Sequence, residues 1–160
     1  MKLYHSSNRT VEHPDVSFSR DFLDFGKGFY LTSLEEQAIS YGNRFIRRGA
    51  DAWLNTYDFV FNPEDWKILQ FERYDMEWLN FVTRCRKGED DSDYDMVVGG
   101  IANDKVIRTL DLYFNGDITA EAAIGKLKYE KPNNQYCIRS QRMIEQCLNH
   151  KESRKLCQTK

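Results

Sequence analysis

Asp24-Phe25-Gly26-Lys27-Gly28-Phe29-Tyr30-Leu31-Thr32, with Leu3-Tyr4-His5-Ser6-Ser7 upstream of it, decides how this chain is read. Two glycines flank a lysine and lead straight into an aromatic, apolar run. Glycine reaches positive φ and lets another backbone or a ligand come close, so Gly26 and Gly28 predict a tight approach into a strand over 28–31. Ser33-Leu34-Glu35-Glu36 follows as a capping box that opens a helix. Leu34, Ala38, Tyr41 and Phe45 recur at helical spacing, which predicts one shared inward face. The histidine ending a first short strand over 2–5 and the tyrosine of the second are expected to line a common cleft.

Outward from that motif, the rest of the chain reads as α+β. Residues 8–27 form a long polar loop, and loops of that length in a compact domain tend to be functional lids. Alternating aromatic and branched residues over 52–61 predict a strand ending at Asn62-Pro63, and 66–71 predicts a shorter one. Trp78, Leu79, Val82 and Cys85 mark a helix over 76–86, followed by a charged, solvated turn over 87–93 that includes Asp90-Asp91-Ser92-Asp93. A buried strand over 94–101 runs into Ala102-Asn103-Asp104, and helices are expected over 104–113 and 119–128, the second with Ala122, Ala123 and Leu127 inward. Lys131-Pro132-Asn133-Asn134 reads as a loop, 135–139 as a strand and 140–149 as a final helix. The strands are short and irregularly spaced and lack regular βαβ units, which favours mainly antiparallel sheets over a doubly wound one.

Composition narrows the function. At 160 residues and 41% hydrophobic, the chain is expected to fold as one domain over 1–149, with a polar, basic tail over 150–160 that frays. Its net charge of −2 and pI near 5.9 supply no global field toward nucleic acid or anionic membrane. That argues against a dedicated nucleic-acid-binding module, not against an enzyme that visits such a substrate. No apolar run reaches the length of about 18 residues needed for a membrane span, and Met-Lys-Leu-Tyr-His lacks an apolar signal core. Cys85, Cys137, Cys147 and Cys157 form no Cys-x-x-Cys pair, and only His5, His13 and His150 accompany them. The expectation is a cytoplasmic, reduced, metal-free protein.

The motifs resemble the ADP-ribosyltransferase superfamily, on the branch of the poly(ADP-ribose) polymerases and diphtheria-type toxins, and within it a small bacterial group of unknown function. The family carries His-Gly-Ser on its first strand, and His5-Ser6-Ser7 is the counterpart here. Its Gly-Lys-Gly-hydrophobic-Tyr run is matched by Gly26-Lys27-Gly28-Phe29-Tyr30, and its second tyrosine, eleven residues on, by Tyr41. Its catalytic glutamate opens a late strand, where Gln135 stands in this chain. The resemblance implies two small, mainly antiparallel sheets with NAD in the cleft between them. It implies that His5 bonds the adenosine ribose, that backbone groups of Ser6 hold the nicotinamide carboxamide, that Ser7 and Gly28 also contact the cofactor, and that Tyr30 and Tyr41 sandwich the nicotinamide ring.

The implied activity is transfer of ADP-ribose from NAD to a protein or nucleic-acid acceptor, and the toxin-like branch implies an antitoxin-like inhibitory partner. Because Gln135 replaces the glutamate, the resemblance points to mono-ADP-ribosyl transfer, NAD hydrolysis or bare nucleotide binding. Asp104 or Glu130 is the substitute carboxylate, Asp104 favoured by its place directly after a buried strand. Ala38 stands where the family has a hydroxyl residue that helps hold the carboxamide. Arg20, just ahead of the glycine motif, is either a donor to the NAD pyrophosphate or a solvated loop residue. Arg44, Arg47 and Arg48 suit the C-terminal end of a helix dipole or a phosphate-bearing target. The contrasting function is a catalytically silent NAD or ADP-ribose binding module, or a protein-interaction domain, on the same fold.

Overall fold

The structure is a computed structural model that describes residues 1–100, 104–128 and 135–157. Chain order runs β1 (Lys2–Ser7), β2 (Phe29–Thr32), α1 (Glu35–Arg47), β3 (Ala52–Phe59), β4 (Ile68–Gln70), α2 (Met76–Lys87), β5 (Met96–Gly99), α3 (Asp104–Phe114), α4 (Ala120–Leu127), β6 (Gln135–Ile138), α5 (Gln141–Cys147) and β7 (Leu148–Leu156). The class is α+β, as composition and spacing predict. The strands join in one mixed sheet of order β4-β5-β6-β2-β1-β3-β7, in which β4 and β5 run parallel and the other neighbours antiparallel. One hydrogen-bonded sheet therefore replaces the two separate ones expected.

That sheet has a weak joint. β1 matches β3 at six positions and β3 matches β7 at eight, yet β1 and β2 share the single pair Tyr4–Thr32. Alternation along β2 then sorts side chains to two faces. Phe29 and Leu31 join Leu3, Tyr57, Ile138 and Met143 in the core beneath α5. Tyr30 points the other way and packs against the cluster of Phe25, Trp78, Leu79 and Cys137 built with α2, α3 and α4.

Local chemistry explains most helix starts. The Asp75 side chain accepts from Trp78 N at 2.9 Å, Thr119 from Ala122 N at 3.1 Å, and Ser140 from Met143 N at 3.3 Å, each satisfying a first-turn amide. α1 departs from expectation. Its cap position is Leu34, which gives no side-chain cap, so the Ser33 capping box does not form. Thr32 acts instead: its Oγ1 accepts from Leu34 N at 3.1 Å and donates to Gln37 Oε1 at 3.2 Å. The inward stripe is also shifted. α1 buries Ala38 and Gly42, and a Cβ at Gly42 would stand 2.7 Å from Leu156 Cδ1 and 3.1 Å from Ser6 Oγ. The missing side chain, not an apolar one, is what lets α1 settle on the sheet. On α4, Ala123 and Leu127 are buried as predicted while Ala122 faces solvent.

The largest correction concerns the C-terminus. Residues 150–156 do not fray: they belong to β7, which pairs along the whole of β3 from Ala52–Leu156 to Phe59–Leu148. Leu148 and Leu156 bury its two ends, and the charged residues between them suit an edge strand. The expected solvated turn over 87–93 needs a second correction. The Asp90 side chain is only 7% exposed there, and its carboxylate accepts from Arg139 at 2.7 Å and from Ser92 Oγ at 2.8 Å. The expected loop over 131–134 and the helix entry at 102–103 lie outside the described residues.

Candidate functional site at the β1–β2 seam

Immediately past the Tyr4–Thr32 pair, a side chain makes the next rung between β1 and β2. The His5 imidazole reaches across and bonds the Tyr30 carbonyl through Nδ1 at 2.7 Å. A carbonyl only accepts, so Nδ1 carries the proton and Nε2 is the acceptor of the neutral ring. The ring lies on Phe29, with centroids 4.4 Å apart. Burial disfavours the imidazolium and lowers the His5 pKa from its ordinary 6.5, while the Tyr30 carbonyl opposes that in part.

The Tyr30 phenol closes the glycine motif on itself. Its hydroxyl donates to the Gly26 carbonyl and accepts from Phe25 N at 3.1 Å. Burial, followed by the neighbouring Cys137, raises its pKa. Gly28 supplies the close approach predicted for it: a Cβ there would stand 2.6 Å from Cys137 Sγ and 2.8 Å from the Ile138 carbonyl. Two ion pairs brace this turn from outside, Asp24 to Arg86 at 2.6 Å and Asp90 to Arg139 at 2.7 Å. Sequence reasoning missed both, because the partners stand 62 and 49 positions apart with no local pattern linking them.

The structure brings some predicted residues together and separates others. His5 and Tyr30 meet, but through the Tyr30 backbone; their rings point to opposite faces of the sheet, so they do not line one groove side by side. Gln135 pairs with Thr32, two residues along from Tyr30, and so shares the phenol's face. It is 8% exposed, and its buried Oε1 has no hydrogen-bond partner among the described residues. A buried polar atom without a partner costs about 1–3 kcal/mol, so this oxygen is available to a donor brought from outside. Ser6 is buried on the same face, and its Oγ donates to the Ala38 carbonyl at 2.5 Å. Ser7 is half-buried, its hydroxyl 3.4 Å from Asn8 Oδ1.

Tyr41 does not join them. It is 43% exposed, edge-on to Phe45 at 5.8 Å, because the buried stripe of α1 runs through Ala38 and Gly42. Arg20 is exposed, and its carbonyl accepts from Ser19 Oγ at 3.1 Å. Asp104 opens α3; its side chain, and all of Glu130, lie outside the described residues.

The loop over 8–27 is fixed at its start. Asn55 Oδ1 accepts from Val11 N at 2.9 Å while its amide donates to the His5 carbonyl at 3.2 Å. Tyr57 donates to the Val11 carbonyl at 2.6 Å, and Gln141 holds Pro14 and Val16. The thiols nearest the seam are poor nucleophiles: burial pushes Cys85 and Cys137 up to about 12, so both stay protonated at neutral pH. Among the described residues, no three metal-capable side chains cluster, and no helix is long and apolar enough to cross a membrane.

A family model described as "Protein of unknown function (DUF3990)" matches residues 1–150. The chain belongs to the DUF3990 family. No curated protein and no solved structure matches it. The matched span takes in the whole seam: β1, β2, α1 and β6 all fall within DUF3990, and only the last six residues of β7 lie beyond it.

Proposed function

We propose that this DUF3990 domain is an NAD-dependent mono-ADP-ribosyltransferase whose nicotinamide site lies on the Tyr30–Thr32–Gln135 face of the β1–β2 seam. The supporting observation is the seam itself. The ladder between β1 and β2 stops after one pair, His5 holds the parting strands through the Tyr30 carbonyl, and beside them sits an acceptor without a partner among the described residues, Gln135 Oε1. On this reading the resemblance to two sheets with a cleft between them corresponds to the two halves of one sheet on either side of Tyr4–Thr32.

The reaction breaks the bond between the nicotinamide nitrogen and ribose C1′. Nicotinamide leaves as a neutral molecule with the bonding electron pair, positive charge builds on the ribose, and an acceptor nucleophile bonds C1′ and releases its proton to water. Gln135 Oε1 accepts from a ribose hydroxyl and orients the sugar. Being an amide, it contributes no full charge to the cationic transition state, and a well-placed electrostatic group is worth about 10²–10³ in rate. His5, whose ring lies on the opposite face of the sheet, acts as a positioning residue: its bond to the Tyr30 carbonyl fixes the strand that carries the site. Ser6 brings a hydroxyl to the backbone of Ala38, on the ground where the family's helix hydroxyl is missing.

Gln135 also favours a second reading, a silent module that binds NAD or ADP-ribose without turnover. Incubation with NAD labelled in the ADP-ribose moiety and with a cell lysate separates the two. The transferase releases free nicotinamide and labels an acceptor; the silent module binds NAD and does neither. Absence of NAD binding by calorimetry overturns both. Gln135→Glu is expected to raise nicotinamide release, and a fall on that change shows that the amide itself is required.

A further inference from the structure

The C-terminal half of α1 carries a surface that the nicotinamide site leaves unused. Tyr41, Arg44, Arg47 and Arg48 are all exposed there, and the Arg44 guanidinium lies 5.3 Å from the Tyr41 ring centroid. Among the described residues none of the three arginines is in a salt bridge. The acid nearest in sequence, Asp51, is engaged elsewhere, with Lys155 at 3.4 Å. The dipole of α1 accounts for a cation in its last turn. It does not account for a half-exposed phenol held under one.

We propose that this face of α1 binds single-stranded nucleic acid, which serves as the acceptor polymer. The acceptor role rests on the transferase reading above; the binding does not. Guanidinium forks match phosphate oxygens, and an exposed aromatic ring beside them is a stacking platform for a base. A peptide carboxylate satisfies the arginines and leaves the ring without use. The spacing suits a polymer. α1 rises about 1.5 Å per residue, so Arg44 to Arg48 stand roughly 10–17 Å along the axis from Gln37, which bonds Thr32 at the seam. Stacked nucleotides at about 3.4 Å each cover that in three to five steps. In the transfer, a base nitrogen or oxygen forms the new bond to C1′, nicotinamide departs with the electron pair, and the displaced proton goes to water. With a net charge of −2, the attraction is local to this patch and sensitive to salt.

The test is fluorescence anisotropy of labelled single-stranded DNA and RNA 12-mers across a salt series, with the wild type and the triple variant Arg44→Ala, Arg47→Ala, Arg48→Ala. Each single-strand phosphate neutralised, with release of its counterion, contributes about 0.7 to the slope of log K against log salt. The triple variant is therefore expected to show a slope flatter by about 2 and at least tenfold weaker binding at low salt, with an unchanged melting temperature. Tyr41→Ala is expected to weaken binding with the slope retained. No oligonucleotide binding by the wild type, equal slopes, or polyglutamate competing as well as DNA overturns the proposal. Nicotinamide release measured without oligonucleotide keeps the two readings apart. If it proceeds while no oligonucleotide binds, the surface fails and the transferase stands. If it is absent both without and with oligonucleotide while binding follows the arginines, the transferase fails and the surface stands.

Discussion

The two halves of the sheet are built on different terms. On one side, β1, β3 and β7 are zipped by long antiparallel ladders of six and eight pairs, so backbone hydrogen bonds carry much of the pairing. On the other, β4, β5, β6 and β2 meet over three or four positions each, and buried side chains of α2, α3 and α4 hold them in place. Within the sheet the halves are joined by one backbone pair and one imidazole, while Leu3 and Tyr57 pack with Phe29 and Leu31 across the joint. A strand pairing that is not completed leaves backbone groups for other partners, and the residues with chemistry to offer, His5, Tyr30 and Gln135, gather where the ladder stops. The ladder-built half is a platform; the side-chain-built half carries the motif.

The contrast breaks most completely if β7 is removed. Deleting residues 148–160 strips β3 of its outer partner and uncovers the α1 face against Leu156, so the truncated chain is expected to lose cooperative thermal unfolding altogether by circular dichroism. A truncated chain that still melts sharply shows that β1 and β3 stand without the edge strand. Next in size is the glycine motif. Gly28→Ala drives a Cβ into a sulfur and a backbone carbonyl that cannot move aside, costing about 3 kcal/mol. Gly26→Ala has room, its nearest neighbour being 3.8 Å away, and meets only the penalty of its φ of +78°, about 1–2 kcal/mol. Urea melts that rank the two in the reverse order contradict the packing described for Gly28.

The same two halves differ in how legible they are in the sequence. Helices with an apolar stripe and a side-chain cap, α2 and α4, can be read directly, as can the buried strands β5 and β6, because burial writes itself as periodicity. β7 cannot. Its interior is Asn149-His150-Lys151-Glu152-Ser153-Arg154-Lys155, polar throughout, and its register slips at Thr56/Tyr57, so neither hydropathy nor alternation betrays a strand made by backbone bonds. The phase of α1 is read only in part: Ala38 and Phe45 belong to the packed stripe as predicted, but the contact through Gly42, which turns Tyr41 outward, leaves no apolar letter to count. At the site, the local motif locates Gly28 and Tyr30, whereas the direction of each ring and the Asp90–Arg139 pair depend on contacts distant in sequence.

Tyr30→Phe sharpens the comparison at intermediate size. It removes the hydroxyl that serves both the Gly26 carbonyl and Phe25 N and leaves the ring in place. Orphaning two enclosed backbone groups is expected to cost about 2 kcal/mol, without changing the ladder-built half. Hydrogen exchange is the discriminating measurement: amides of residues 24–30 should lose protection while those of β3 and β7 keep it. A uniform loss across the sheet means that the halves unfold as one unit, and that the seam is no boundary.

The smallest effect tests the seam through pH. The His5 pKa is lowered by burial from 6.5, so in the window just below that value the unfolded chain takes up a proton that the folded chain refuses. Stability contributed by neutral His5 is therefore present above that window and is lost as pH falls through it. His5→Asn places an amide N–H near the position of Nδ1 and does not titrate there, so it keeps a donor for the Tyr30 carbonyl without the proton linkage. Between pH 7 and 5 the wild type is expected to lose more melting temperature than the variant. Parallel melting curves for the two proteins mean that His5 binds its proton equally in both states, and an imidazole of that kind cannot be the buried rung that joins β1 to β2.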